Sequence, residues 1–228
     1  MRSAFGALGE AIFPGRCLLC GGWLLLASDH SMPICHACRG TVPMLGGLRC
    51  TRCGLELISE RGTCLRCRNV DYMFDSNLSV FAYTGNAKRL LVALKFEGRR
   101  RLAPFFADHV AALLNAAGWR GEVVPVPPRP GRQEPDSAEL VSRSLEKLHG
   151  IRVLRALLRT ASVQQKTLDY RQRRENLKGQ VRVRTAVPPK AILLDDVFTT
   201  GATLDACALA LRNAGCTEVN SVTLVMEE

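Results

Sequence analysis

Asp195 and Asp196 stand side by side, and the run that follows, Val197-Phe198-Thr199-Thr200-Gly201-Ala202-Thr203, places three hydroxyls around a glycine. A pair of carboxylates accepts hydrogen bonds from vicinal hydroxyls. Small residues at the start of a helix let backbone N–H groups close round an anion. A diol on one side and a phosphate on the other is the ligand this order suits, and ribose 5-phosphate carries both. The bland alternative is a strand end with two solvated carboxylates before a threonine-capped helix.

A second constellation is made of thiols. Of ten cysteines, eight form four CxxC pairs: Cys17 with Cys20, Cys35 with Cys38, Cys50 with Cys53, and Cys64 with Cys67. That grouping fits two tetrahedral zinc sites of four thiolates each, which leave no open position for water and are therefore structural. Gly21 and Gly54 follow two of the pairs, where a tight thiolate-binding turn needs them. Pairing in sequential order gives two ribbons in series, and interleaved pairing is the alternative. Redox-active CxxC is the competing reading, but it calls for a strand and helix framing each pair. His30 and His36 are near enough to replace a ligand, although eight cysteines make this unnecessary. Cys207 and Cys216 lie far away and are expected to pack as small apolar residues.

These residues need elements to position them. Ile192, Leu193 and Leu194 form an apolar run without alternation, as a parallel strand buried on both faces requires. The carboxylates are expected to end that strand. Leu204, Cys207, Ala208 and Leu211 recur at helical spacing, with Gly215 placed for a left-handed cap. The loop Thr199 to Thr203 then joins strand to helix and faces the helix's unpaired first amides. Valine at Gly201 is expected to abolish binding by blocking close backbone approach. Upstream, Leu78 to Tyr83 reads as a strand, Leu90, Leu91 and Leu94 as a helical stripe, Leu102 to Ala117 as a long helix, Glu122 to Val126 as a buried strand, and Asp136 as the start of a helix through Leu148. Lys95, Arg129 and Arg132 are candidate anion donors. The arginines Arg99 to Arg101 serve equally well as a solvated turn.

The chain has 228 residues, 47% hydrophobic, enough to bury a core. The apolar run Trp23 to Ala27 is too short for a membrane span, and Glu10 with no small-residue cleavage site argues against a signal peptide. A soluble, cytoplasmic protein is expected, in two units: residues 1–70 carrying the zinc ribbons and residues 71–228, with no Pro/Gly-rich linker. Formal net charge is +10. Two all-cysteine zinc sites would lower it to about +6, and the zinc-loaded segment itself is close to neutral. A zinc module dedicated to DNA is therefore not strongly indicated. Tyr170 beside Arg171, Arg173 and Arg174 is a poor stacking platform for a single strand.

The acidic pair and Thr-Thr-Gly-x-Thr loop resemble the phosphoribosyltransferase signature, with Phe198 where an aliphatic residue is more usual. That resemblance implies that Lys95, Pro127, Pro128 and Arg129 contact pyrophosphate. Taken with the four CxxC pairs, Tyr83, Leu94-Lys95-Phe96-x-Gly98, Val124 to Pro127, Arg159 with Gln165-x-x-Leu168, and Arg174-x-Asn176-Leu177-x-Gly179, nearly the whole chain resembles the ComF family. The resemblance implies an amino-terminal double zinc ribbon followed by a type I phosphoribosyltransferase-like parallel sheet with flanking helices. It further implies binding of 5-phosphoribosyl 1-pyrophosphate (PRPP) with Mg²⁺, or of a nucleoside 5′-monophosphate, at Asp195, Asp196 and Thr199 to Thr203. A role in natural competence, the uptake of single-stranded DNA, is implied likewise. One departure is Gln133-Glu134-Pro135-Asp136-Ser137, where the family commonly carries Arg-Gly-Phe-Asn-Gln after a longer basic loop. A PRPP-sensing or adaptor role without turnover is the alternative to transfer.

Overall fold

The computed structural model describes residues 15–24, 32–131, 136–160 and 180–227. Glu10, His30, Arg132, Gln133 to Pro135, Gln165, Leu168 and the Tyr170 to Gly179 segment lie outside the described residues. Numbered over the described residues, the elements begin with two single-turn helices, α1 (His36–Arg39) and α2 (Leu65–Arg68). They are followed by β1 (Ser76–Ala82), α3 (Gly85–Phe96), a 3-10 turn at Arg100–Leu102, α4 (Ala103–Ala116), β2 (Glu122–Pro125) and α5 (Ser137–His149). The carboxyl-terminal part holds β3 (Leu157–Arg159), β4 (Val181–Val183), β5 (Lys190–Phe198), α6 (Ala202–Asn213) and β6 (Glu218–Met226).

The main sheet has the order β1-β6-β5-β2, and all three pairings are parallel. Its central strands read as continuous apolar runs because both faces are covered. Ile192, Leu194, Val222 and Leu224 pack on one face with α3, α4 and α5, while Leu193, Val219 and Met226 pack on the other with α6. β5 does not stop at the acidic pair. It runs on to Phe198 because β6 stays beside it, Asp195 facing Thr223 in register and Phe198 facing Met226. Helix ends match their sequence signals. Asp136 caps α5 by accepting from the Glu139 amide at 3.0 Å. Gly215, at φ +102, closes α6 as Cys216 N–H reaches the Leu211 carbonyl and Gly215 N–H the Arg212 carbonyl, each at 3.0 Å.

β1 is an edge strand, and the zinc-ribbon segment covers it. Leu45 N–H bonds to the Val80 carbonyl, Asn77 N–H to the Arg52 carbonyl, and the Arg49 guanidinium to the Ser79 carbonyl. The two four-cysteine groups divide between the faces. Cys17, Leu24, Ile34 and Val42 join the core around α3 and α4, whereas Cys50, Cys53, Cys64 and Cys67 join the core around α6. Asn77, fully buried, satisfies its amide by donating to the Cys53 carbonyl and accepting from Ser221 Oγ. The junction is held as tightly. Arg52 donates to the Tyr72 and Asp75 carbonyls, Asp205 accepts from Met73 N–H, and Arg212 donates to the Met73 carbonyl and the Asp75 carboxylate.

Candidate phosphate and zinc sites

Adjacent strands β2 and β5 lead to opposite faces of the sheet. The chain leaving β2 enters α5 on one side, and the chain leaving β5 enters α6 on the other. A crevice opens outside the carboxyl ends of such strands, where ligands of open parallel sheets bind. Asp195, Asp196 and the loop Thr199 to Thr203 come from the β5 side, and Val126 to Arg129 from the β2 side. Gly201 adopts φ +76 as the amino-terminal cap of α6, a left-handed conformation open to glycine at little cost. The helix starts at Ala202, so Ala202 and Thr203 supply first-turn amides. Among the loop's side chains, Thr200 Oγ1 accepts from Ala202 N–H at 3.3 Å, and Thr199 is exposed.

The two carboxylates have different surroundings. Asp196 accepts from Lys95 Nζ at 2.6 Å and from Ser137 Oγ at 2.9 Å. Lys95 is thus placed on the acidic pair, between α3 and β5. Asp195 accepts from the Asp196 amide at 2.8 Å. Burial and then the charge of Asp196 push its carboxyl up to about 7, against the pull of Lys95. Because the folded pKa is raised, charging Asp195 costs stability as pH climbs from about 4 to about 7. Asn at this position keeps the acceptor without the charge. Asp195→Asn is therefore expected to melt higher than wild type at pH 8, by on the order of 2 kcal/mol, with the gap shrinking as pH falls toward 5.5. A gap independent of pH in calorimetric scans would refute this.

Pro125 to Gly131 line a cavity of about 380 Å³ together with Asp136, Glu139, Arg155, Leu157, Arg159 and Arg184. Pro127 is buried, and Pro128 and Arg129 are exposed at its mouth. Arg155 is engaged by Glu139 and Glu146. Arg159, half-buried, has its guanidinium pKa lowered by burial and then by Arg129, while Asp195 and the Cys207 thiol oppose the shift. It links the cavity electrostatically to the acidic pair. Arg159 and Ser137 each stand in stretches that the family resemblance marks, but the sequence assigns neither a contact with the acidic pair or the cavity. A larger, apolar cavity of about 710 Å³ lies at the other end of β2 and β5, around Trp119, Ile151 and Pro189, and holds none of the candidate residues.

The thiols settle the pairing as sequential. Cys17, Cys20, Cys35 and Cys38 form one group and Cys50, Cys53, Cys64 and Cys67 the other, with all sulfurs of a group within 4.8 Å of one another. Zn–S bonds of about 2.3 Å in a tetrahedron put sulfurs about 3.8 Å apart. Cys20 and Cys35 are 3.9 Å apart, and Cys53 and Cys64 are 3.7 Å apart. Backbone N–H groups of Leu19 and Cys35 point at Cys17 Sγ, and that of Cys64 at Cys50 Sγ, favouring thiolates. The donors fit structural zinc, and His36 belongs to neither group. Cys207 and Cys216 are buried, as expected of packing residues.

Fold and thiol groups together define a parallel-sheet α/β protein preceded by a double zinc ribbon. Residues 8–68 match the family model for the double zinc ribbon domain. Over nearly its whole length the chain is similar to the competence protein ComFC of Streptococcus pneumoniae, 27% identical over 226 residues that span 92% of this chain and 99% of the relative. Competence protein F of Haemophilus influenzae is 26% identical over 227 residues, covering 91% of this chain and 95% of that one. ComFC of Bacillus subtilis is 26% identical over 243 residues, covering 95% and 97%. These findings bear out the ComF resemblance. Among solved structures, the chain is similar to orotate phosphoribosyltransferase of Mycobacterium tuberculosis in complex with inorganic phosphate, with TM-score 0.35, 16% identity, and coverage of 62% of this chain and 64% of that one. A phosphoribosyltransferase of Corynebacterium diphtheriae gives TM-score 0.34 and 20% identity, with 63% and 94% covered.

Proposed function

We propose that the crevice binds PRPP or a nucleoside 5′-monophosphate, with the 5′-phosphate on the amides of Thr199 to Thr203 and the ribose diol on Asp195 and Asp196. The observation that carries this reading is the acidic pair directly before a left-handed Gly201 turn that feeds the first amides of α6, all at the sheet's switch point. The chemistry in this reading is pentosyl transfer, in which a nucleophile such as a base nitrogen or ammonia displaces pyrophosphate from C1′. In this reading Asp195 and Asp196 are the catalytic pair, a carboxylate stabilising the positive charge that builds on the ribose ring, and Arg129 and Arg159, which line the cavity beside β2, receive the leaving group. Magnesium, when present with PRPP, would neutralise the pyrophosphate. Lys95 holds Asp196 in place and compensates its charge.

The relatives are named competence proteins, which supports a role in competence; single-stranded DNA or the uptake machinery as partner, and a cytoplasmic place of action, are part of the same proposal. No helix among the described residues is long and apolar enough to cross a membrane. The shortened Gln133 to Ser137 loop favours the non-catalytic reading, because its last two residues are already committed: Asp136 caps α5 and Ser137 donates to Asp196. Calorimetry on the zinc-loaded protein is expected to show ribose 5-phosphate binding more tightly than inorganic phosphate. Asp196→Asn should cost ribose 5-phosphate about tenfold and inorganic phosphate little, since it weakens the bonds to the diol together with those to Lys95 and Ser137 but leaves the loop amides in place. Equal affinity of the wild type for the two ligands would refute the diol assignment. Base-dependent pyrophosphate release from PRPP separates transfer from sensing.

A further inference from the structure

Arg66 sits in α2, between Cys64 and Cys67 of the second four-cysteine group, so a metal held there would fix where its backbone stands. From there its Nη1 crosses to the sheet and donates to the Thr199 carbonyl at 2.9 Å. Its guanidinium lies 5.8 Å from the centre of the Phe198 ring and faces the Cys53 and Cys64 thiols. Tyr72, just past the ribbon, donates its hydroxyl to the next carbonyl, that of Thr200, also at 2.9 Å. In a planar trans peptide the C=O of one residue and the N–H of the next point in opposite directions. Drawing the Thr199 and Thr200 carbonyls toward the ribbon therefore turns the Thr200 and Gly201 amides away from it, into the crevice.

We propose that Arg66 and Tyr72 are positioning residues for the anion-binding amides, through which the second four-cysteine group is coupled to ligand binding at the loop. This rests on the reading of Thr199 to Thr203 as the phosphate site. Two neighbouring carbonyls are held by two side chains of the ribbon side, and the root of the loop is held by the same cluster. Phe198 meets Tyr72 and Phe74 edge-on at 6.5 and 6.3 Å, and Tyr72 stacks on Phe74 at 4.5 Å. Coupling of this kind is reciprocal: whatever a bound phosphate gains from the ordered ribbon, the ribbon gains from the bound phosphate.

The test uses the full-length, zinc-loaded protein with ribose 5-phosphate as probe. Arg66→Ala is expected to retain both zinc ions, to bind the probe about tenfold more weakly, and to exchange the Thr200 and Gly201 amides faster. Arg66→Lys should recover part of the affinity, because an ammonium donates one of the lost bonds. Tyr72→Phe keeps the aromatic stack and isolates the second carbonyl contact, so it serves if Arg66→Ala folds poorly. In wild type, saturating probe is expected to slow zinc transfer to a chromophoric chelator from the second site alone, and Arg66→Ala should abolish that protection. Wild-type amide exchange in both Arg66→Ala and Tyr72→Phe would overturn the proposal. If wild type fails to bind the probe, the functional reading falls, and the exchange rates still decide whether ribbon and loop are coupled.

Discussion

Cys53→Ser is expected to leave little folded protein, whereas Cys20→Ser is expected to fold with one zinc ion instead of two. Cys53 is fully buried, while Cys20 is exposed. The Cys53 carbonyl accepts from buried Asn77, and its group shares a core with Phe74, Phe198, Leu204 and Leu211. A structural zinc site contributes about 10–16 kcal/mol of apparent binding free energy at neutral pH. A domain of this kind is stable by only about 5–15 kcal/mol in total. Losing one of four ligands in the second site also strands three thiols among apolar side chains, so the damage spreads to β1 and to α6. The first site joins the core through Cys17 and Ile34, but Cys20 itself is exposed, so the loss there stays local. Zinc analysis of chelator-free protein, with urea unfolding followed by tryptophan fluorescence and circular dichroism, separates the cases. Cooperative unfolding of Cys53→Ser at the wild-type midpoint would contradict the argument, as would fewer than one zinc per wild-type chain.

The two thiol groups and the candidate loop were legible because each is local in sequence. CxxC spacing names thiolates, and an acidic pair before a Thr-Thr-Gly-x-Thr turn names both the residues and the strand-to-helix context. Spacing left the zinc pairing open, since sequential and interleaved arrangements use the same eight residues. Folding decides it by carrying Cys35 to Cys20 and Cys64 to Cys53. The end of β5 was read too early because Asp195 and Asp196 break the apolar run. Partner-strand pairing outweighs that local signal as far as Phe198. Least legible were contacts made across the chain. Ser137 reaches Asp196, Arg66 reaches Thr199, and Tyr72 reaches Thr200, and no periodicity or motif marks any of these donors. Phe198 is the nearest to a visible hint. It stands where an aliphatic residue is more usual, and its ring fills the space between loop and ribbon.

Gly201→Val is expected to abolish ribose 5-phosphate binding and to destabilise the protein by about 3 kcal/mol or more. Close backbone approach at Gly201 would put a new side chain in the path of the ligand, but the geometry directs it elsewhere. A Cβ at Gly201 would come within 3.0 Å of Phe198 Cζ and of Tyr72 Cε1, so it points back into the aromatic cluster. Both rings are buried, neither has room to retreat, and a β-branched residue is strained at φ +76 in any case. Relief comes from lifting the loop off the ribbon, which breaks the Tyr72 bond to the Thr200 carbonyl and misaligns the amides. Binding is then lost through displacement of the loop. Gly201→Ala carries the same clash with a smaller group and should fall between wild type and valine in both melting temperature and affinity. Combining Gly201→Ala with Tyr72→Leu removes one of the two obstructing rings, so the pair should be less destabilised than the sum of its single changes, as expected for residues in contact. Strict additivity would show that backbone strain alone governs the site. Wild-type melting and affinity in Gly201→Val would show that the loop assignment is wrong.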